Sequence, residues 1–229
     1  MDLDDTLLDY SGGVDDCWEG ACASIAAPAK VDVAALVQAI AETRRWFWTD
    51  PVQAAQERKD MLRAWTRIAA HGLDRCGVRI DGLCDAIAAD YLARRWTVMK
   101  LFPETLETLA LLRDRGVRMA LVTNGDAGQQ RQKIERYGLA AFFETIVIEG
   151  EFGVGKPDES VYRHALAALG VDAPGAWMVG DNLEWDVAAP QRLGLRGVWI
   201  DRPGSGLPAD DGVQPKHIIH SLSELPGLL

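Results

Sequence analysis

The chain has 229 residues, 48% of them hydrophobic, and a formal net charge of -10 at pH 7. This length and composition allow a buried core in one or two domains. The acidic charge disfavours binding to nucleic acids, and no apolar run is long enough to cross a membrane, so we expect neither partner. The four cysteines include no CxxC pair and are interpreted as small buried groups, which favours a cytoplasmic protein.

The chain opens with a pair of aspartates, Asp2 and Asp4. Their spacing suits a loop at the end of a strand, where one carboxylate attacks a substrate and the other moves protons. Taken alone, the pair is more typical of a disordered acidic terminus. Because only Met1 precedes Asp2, the buried strand expected to carry these acids has no residues. We therefore expect a natural start further upstream, and a longer protein that is more stable and more active.

Residues 12–98 have helical periodicity and no convincing strand. Helices are predicted at 21–25, 33–43, 53–70 and 83–96. We interpret this segment as a helical insert, entered near Gly12 and left near Phe102. Within it, Arg44, Arg45 and Trp46 could contact a substrate through charge and stacking. A helix end with core aromatics and solvated arginines is the favoured interpretation.

From about residue 99 onward, predicted strands alternate with predicted helices. The strands are at 117–122, 142–148, 176–179 and 196–200, and the helices between them are at 129–137, 158–169 and 184–193. This order predicts parallel pairing with right-handed crossovers. The chain is therefore predicted to be α/β, with a Rossmann-like parallel sheet core at 1–11 and 99–229, an α-helical insert at 12–98, and a missing first core strand. An exposed loop is predicted at 202–215, with a short helix at Ser221 after it.

Polar residues follow the predicted strands, at the ends where ligand sites of open parallel sheets lie. They are Thr123, Asn124, Lys156, Asp181 and Asp186. With Asp2 and Asp4, they would bring several carboxylates and one lysine to a single edge of the sheet. Crowded carboxylates repel, and ligands that are all oxygen atoms favour Mg²⁺. The set is typical of phosphoryl transfer, in which positioning and charge neutralisation do most of the catalysis.

These residues resemble the motifs of the haloacid dehalogenase (HAD) superfamily of hydrolases. The four motifs are matched in order by Asp2-Leu3-Asp4-Asp5-Thr6, by Thr123, by Lys156-Pro157, and by Gly180-Asp181 through Asp186. The resemblance spans nearly the whole chain, and the insert takes the place of the family's helical cap. It implies a Mg²⁺-dependent phosphatase that hydrolyses a small phosphorylated metabolite through an aspartyl-phosphate. Such an enzyme would be a monomer or a homodimer.

The resemblance also implies catalytic and substrate-binding roles. Asp2 would be the nucleophile, and Asp4 would be the general acid that later acts as the base for water. Thr123 would bind the phosphoryl group through its hydroxyl, together with Asn124 and nearby backbone N–H groups. Lys156 would pair with both the nucleophile and the phosphoryl oxygens.

The same resemblance implies a metal site. Mg²⁺ would be bound by Asp2, Asp181 and the backbone carbonyl of Asp4. Asp186 would orient Lys156 or a metal-bound water. Support of the local structure is an equally good interpretation of Asp186 considered by itself.

Three alternatives remain open. A 2-haloacid dehalogenase shares the fold and an attacking aspartate, but Asp4 argues against it because a halide leaves without a proton. A sugar phosphomutase would keep every core residue named above. A non-catalytic truncated homologue gains weight from the missing strand. The four histidines show no ligand spacing, and we assign them no role.

Overall fold

The computed structural model describes residues 1–209 and 212–229, which form two compact units. One unit comprises Met1–Tyr10 and Lys100–Leu229, and the other comprises Ser11–Met99. The loop predicted at 202–215 falls partly outside the described residues, at 210 and 211. Among the described residues, no helix combines the length and the apolarity that crossing a bilayer requires.

The unit at Ser11–Met99 is built from helices. They are α1 (Val14–Ile25), α2 (Val33–Phe47), α3 (Pro51–Glu57), α4 (Met61–Arg75) and α5 (Leu83–Val98). Their apolar faces enclose a core in which Trp18 stacks on Tyr91 with ring centroids 4.0 Å apart. The prediction of one helix at 53–70 was wrong. The side chain of Asp60 accepts a hydrogen bond from the Arg63 N–H and begins a new helix there.

The unit at Met1–Tyr10 and Lys100–Leu229 contains short strands. They are β1 (Leu8–Asp9), β2 (Lys100–Leu101), β3 (Ala120–Thr123), β4 (Thr145–Ile148), β5 (Trp177–Gly180), β6 (Arg196–Ile200) and β7 (His217–Ile219). β3 pairs in parallel with β4, while β5, β6 and β7 form a second parallel group. β1 and β2 pair antiparallel. The parallel pairing predicted from the sequence is confirmed, whereas β1, β2 and β7 were not predicted.

Helices connect these strands within the same unit. They are α6 (Thr105–Asp114), α7 (Ala127–Arg136), α8 (Glu149–Phe152), α9 (Glu159–Leu169) and α10 (Ala189–Arg192). The helix predicted at 184–193 is instead a π-helical turn, Leu183–Ala188, followed by α10. Pro190 lies in the first turn of α10, where a missing N–H costs no hydrogen bond.

Met1 and Asp2 lie between β3 and β5. The Met1 amino group donates to the Ala120 carbonyl oxygen at 2.8 Å, and the Val122 N–H donates to the Met1 carbonyl oxygen at 2.9 Å. The Asp2 N–H donates to the Val179 carbonyl oxygen at 2.9 Å. These two residues therefore bridge the two parallel groups of strands, where the sequence predicts a central strand.

An apolar cavity of about 300 Å³ lies beside Met1. Its walls are residues of β3, β5, α9 and the neighbouring chain, including Met119, Ala120, Leu169, Trp177, Met178 and Leu225. The cavity is therefore lined by residues from both parallel groups of strands.

Candidate active site

The segment after Asp2 is a tight loop anchored by buried leucines. Leu3, Leu7 and Leu8 are fully buried, and the N–H groups of Leu7 and Leu8 both donate to the Leu3 carbonyl oxygen, at 2.9 and 3.0 Å. Asp5 adopts a φ of +57°, which aspartate tolerates better than most residues. The chain thus turns back on itself directly after Asp2, and the apolar anchors fix the loop.

Lys156 links two of the predicted carboxylates. Its Nζ lies 2.7 Å from Oδ1 of Asp2 and 2.6 Å from Oδ1 of Asp186. Only 1% of Lys156 is exposed, and Asp186 is fully buried. Burial alone would lower the pKa of Lys156, but the two carboxylates raise it above its usual range. Lys156 is therefore held as a cation against Asp2.

Three carboxylates form a compact group that is able to hold a metal ion. Ligand oxygens of Asp2, Asp181 and Asp186 all lie within 4.8 Å of one another. Burial, together with the other acids, raises the pKa of Asp2 to about 7 and the pKa of Asp181 to about 8, although Lys156 opposes both shifts. A donor set made only of carboxylate oxygens fits a hard divalent cation such as Mg²⁺.

The chain between Asp181 and Asp186 is shaped so that both carboxylates lie beside β5. The Asn182 N–H donates to Oδ2 of Asp186 at 3.1 Å, and the π-helical turn carries Asp186 back toward the strand. A Cβ at Gly180 would lie 2.2 Å from the Asp186 carboxylate. Glycine is therefore required at this position for the carboxylate to pack against the strand.

Asn124 holds the loop that carries Lys156. Its Nδ2 donates to the Lys156 carbonyl oxygen at 2.8 Å, and its Oδ1 accepts from the Lys156 N–H at 2.7 Å. A Cβ at Gly155 would lie 2.5 Å from the same Oδ1, so this contact also depends on a glycine. Both polar atoms of the Asn124 side chain thus contact backbone atoms of Lys156.

Asp4 faces a different set of partners. Its two carboxylate oxygens lie 2.9 and 2.8 Å from Nζ of Lys133, and Nε2 of Gln130 lies 3.1 Å from Oδ2. The same Gln130 nitrogen lies 2.7 Å from the Thr123 hydroxyl oxygen. Lys133 and Gln130 were not predicted as site residues from the sequence. The available signal was a pair of polar residues three apart, on the face of α7 that also buries Ile134.

Comparisons with known proteins identify the family of this chain. The sequence model of the haloacid dehalogenase-like hydrolases matches residues 1–194. The chain belongs to the haloacid dehalogenase-like hydrolases. The fold predicted from the motifs is confirmed by a 2-haloacid dehalogenase from Pseudomonas syringae pv. Tomato DC3000. That structure is 29% identical with a TM-score of 0.66, and the match covers 99% of this chain and 95% of that one.

Curated relatives of this HAD hydrolase include phosphatases. A phosphoserine phosphatase from Thermus thermophilus is 37% identical over 172 residues, which are 72% of this chain and 67% of that enzyme. An N-acylneuraminate-9-phosphatase from Rattus norvegicus is 38% identical over 139 residues, which are 58% of this chain and 56% of that enzyme. The matched region therefore spans between about half and two thirds of these relatives.

The cluster of Asp2, Asp181 and Asp186 makes the stability of the HAD hydrolase depend on pH. Asp2 and Asp181 have a usual pKa of 3.8 that rises to about 7 and about 8 on folding. The folded state then retains protons that the unfolded chain has lost, so stability falls as pH rises through this interval. Burial lowers the pKa of the Met1 amino group from 8.0 to about 5, so this group makes stability rise with pH. Its effect on stability offsets that of only one of the two acids.

We expect Mg²⁺ to raise the melting temperature more at pH 8 than at pH 6, because it competes with these protons for the same oxygens. The measurement is thermal unfolding with Mg²⁺ or EDTA at each pH, so that metal-independent titrations cancel in the difference. Asp181→Asn should remove most of the Mg²⁺ effect. An equal Mg²⁺ shift at both pH values would contradict the expectation.

Proposed function

We propose that this HAD hydrolase is a Mg²⁺-dependent phosphatase that cleaves a small phosphate monoester through an aspartyl-phosphate at Asp2. The observation that carries the proposal is the position of the Asp2 carboxylate, 2.7 Å from the buried Lys156 ammonium and within 4.8 Å of Asp181. The names of the curated relatives support the substrate class, since phosphoserine and an N-acylneuraminate 9-phosphate are both small monoesters.

Asp2 and Asp181 are the side chains that would hold Mg²⁺, with the backbone carbonyl of Asp4 as the further ligand implied by the family resemblance. Asp186 belongs to the same group, but its Oδ1 contacts Lys156 and its Oδ2 accepts from the Asn182 N–H. We therefore assign Asp186 to orienting Lys156. When bound, Mg²⁺ supplies positive charge that offsets repulsion between the acidic group and an anionic phosphate.

In the first half of the reaction, a carboxylate oxygen of Asp2 attacks phosphorus while the bond from phosphorus to the ester oxygen breaks. Asp4, in its protonated form, gives its proton to the departing oxygen. Lys156 holds the other Asp2 oxygen and neutralises charge on the phosphoryl group, whose oxygens also accept from the Thr123 hydroxyl. Asn124 contributes by holding the backbone of Lys156.

In the second half, Asp4 takes a proton from water as the water oxygen attacks the phosphorus of the aspartyl-phosphate. The bond from phosphorus to the Asp2 oxygen breaks, which releases inorganic phosphate and restores the Asp2 carboxylate. The two halves together consume one water and leave both aspartates as they began.

The proposal is tested by measuring the products formed from three kinds of compound. We expect phosphate release from p-nitrophenyl phosphate and from at least one small alkyl phosphate, with EDTA abolishing the release. Chloride release from 2-chloropropionate would instead support a dehalogenase. Isomerisation of a hexose phosphate without phosphate release would support a mutase. Either of these results without phosphatase activity would overturn the proposal.

A further inference from the structure

The side chains of Lys133 and Gln130 surround Asp4 on the side formed by α7. Lys133 is 2% exposed and Gln130 is also 2% exposed, so both polar groups are taken out of water. A buried ammonium is costly unless it is paired, and Asp4 pairs with Lys133 through both carboxylate oxygens. The Lys133 ammonium also lies 4.0 Å from the ring centroid of Tyr10.

This arrangement restricts the direction in which the Asp4 carboxyl group can face. Two contacts from one ammonium fix the plane of the carboxylate better than a single contact would. The Gln130 amide contacts both Asp4 and the Thr123 hydroxyl, so it sets the distance between these two groups. The Asp4 side chain retains 23% exposure, which leaves it open to a ligand, whereas that of Lys133 is 3% exposed.

We propose that Lys133 is a positioning residue, which acts through Asp4 by fixing the carboxyl group where it gives a proton to the leaving oxygen. The proposal rests on the phosphatase function proposed above. Lys133 is buried behind Asp4 and is not assigned any contact with substrate. Gln130 assists by fixing the distance between the Asp4 carboxyl group and the Thr123 hydroxyl.

The chemistry of the leaving group separates positioning from general structural support. An alkoxide is a poor leaving group and needs a proton, while p-nitrophenolate departs readily without one. Because kcat/KM reports steps up to the first irreversible one, it includes departure of the leaving group but excludes later attack by water. A misplaced Asp4 should therefore lower kcat/KM for an alkyl phosphate and spare kcat/KM for p-nitrophenyl phosphate.

The experiment compares Lys133→Met, Lys133→Arg and the control Arg136→Met, which removes a cation from an exposed position of the same helix. For Lys133→Met, we expect kcat/KM to fall about 10- to 100-fold with the best alkyl phosphate, on the scale of general acid catalysis, and less than about threefold with p-nitrophenyl phosphate. Lys133→Arg should recover part of the loss, and Arg136→Met should leave both substrates unchanged. Gln130→Leu should give the same selective loss to a smaller degree.

Equal losses for both substrates, or no loss for either, would overturn the positioning role. If Lys133→Met fails to fold, the same comparison is made with Lys133→Arg and Gln130→Leu, which keep the charge balance around Asp4. A wild-type protein that releases phosphate from neither substrate would overturn the proposed function itself and this inference with it. If the wild type is active but Lys133→Met loses the same activity with both substrates, only this inference is overturned.

Discussion

Asp2→Asn is expected to lower kcat/KM for p-nitrophenyl phosphate by about 10⁴-fold or more, the scale seen when a hydrolase loses its nucleophile. An amide oxygen is too weak a nucleophile to form the acyl phosphate. The other carboxylate that contacts Lys156, that of Asp186, is fully buried and should not replace it. The variant should fold, because Lys156 keeps its contact with Asp186 at 2.6 Å. Steady-state phosphate release, with thermal unfolding on the same samples, checks both statements.

Asp172→Asn provides the matched control for this variant. Asp172 is an exposed aspartate ahead of β5 whose side chain caps no helix, so its replacement should leave activity unchanged. The Asp2 variant should also melt no lower than the wild type without metal, since it removes one of three crowded acids. Retention of more than about one hundredth of the activity in a folded Asp2→Asn protein would mean that another group attacks phosphorus.

Addition of a five-residue apolar strand before Met1 is expected to stabilise the protein by about 2–5 kcal/mol. Five buried side chains would contribute roughly 1.5–3 kcal/mol each, and ordering their backbone would cost about 1–2 kcal/mol per residue. The segment would enter the cavity of about 300 Å³ beside Met1 and pair with backbone groups near Met119 and Trp177. It would also turn the buried Met1 amine into an amide, which removes a group that must lose its proton on burial.

The measurement is thermal unfolding of the wild type and of two extended proteins, one with Val-Ile-Ala-Val-Ile and one with Ser-Gly-Ser-Gly-Ser before Met1. We expect the melting temperature of the apolar version to rise by at least about 5 °C, while that of the polar version stays close to that of the wild type. Phosphate release should increase with the apolar version, because Asp2 would then follow a fully paired strand. Equal effects of the two extensions would show that the cavity does not accept a strand.

Local signals in the sequence predicted part of this structure well. Asp158 and Gly170 mark the start and end of α9 as expected, because a side-chain cap and a left-handed glycine act on neighbouring residues. The prediction of one helix at 53–70 was wrong because the apolar periodicity continues across Asp60. The helix start at this residue is therefore not visible in the pattern. Strand β7 escaped prediction because three residues, His217–Ile219, are too few to show a period.

Site residues could be predicted from the sequence only where they lie in segments that follow predicted strands. Lys156 and Asp186 lie in the segments that follow two predicted strands, and the structure brings both to within hydrogen-bonding distance of one another. Lys133 lies in the middle of a helix, and its partner Asp4 is 129 residues away along the chain. The spacing of Gln130 and Lys133 could place both on one face of α7, but it does not identify Asp4 as their partner, which only the folded backbone reveals.

The most direct test of the proposed mechanism is to find the residue that carries the phosphoryl group during turnover. The protein would be mixed with ³²P-labelled substrate and Mg²⁺, quenched in acid within milliseconds, digested, and mapped by mass spectrometry. We predict an acid-stable, hydroxylamine-sensitive label on Asp2, which chases into inorganic phosphate and is absent from Asp2→Asn. A label on any other residue, or rapid phosphate release by the wild type with Asp2 unlabelled at every quench time, would contradict it.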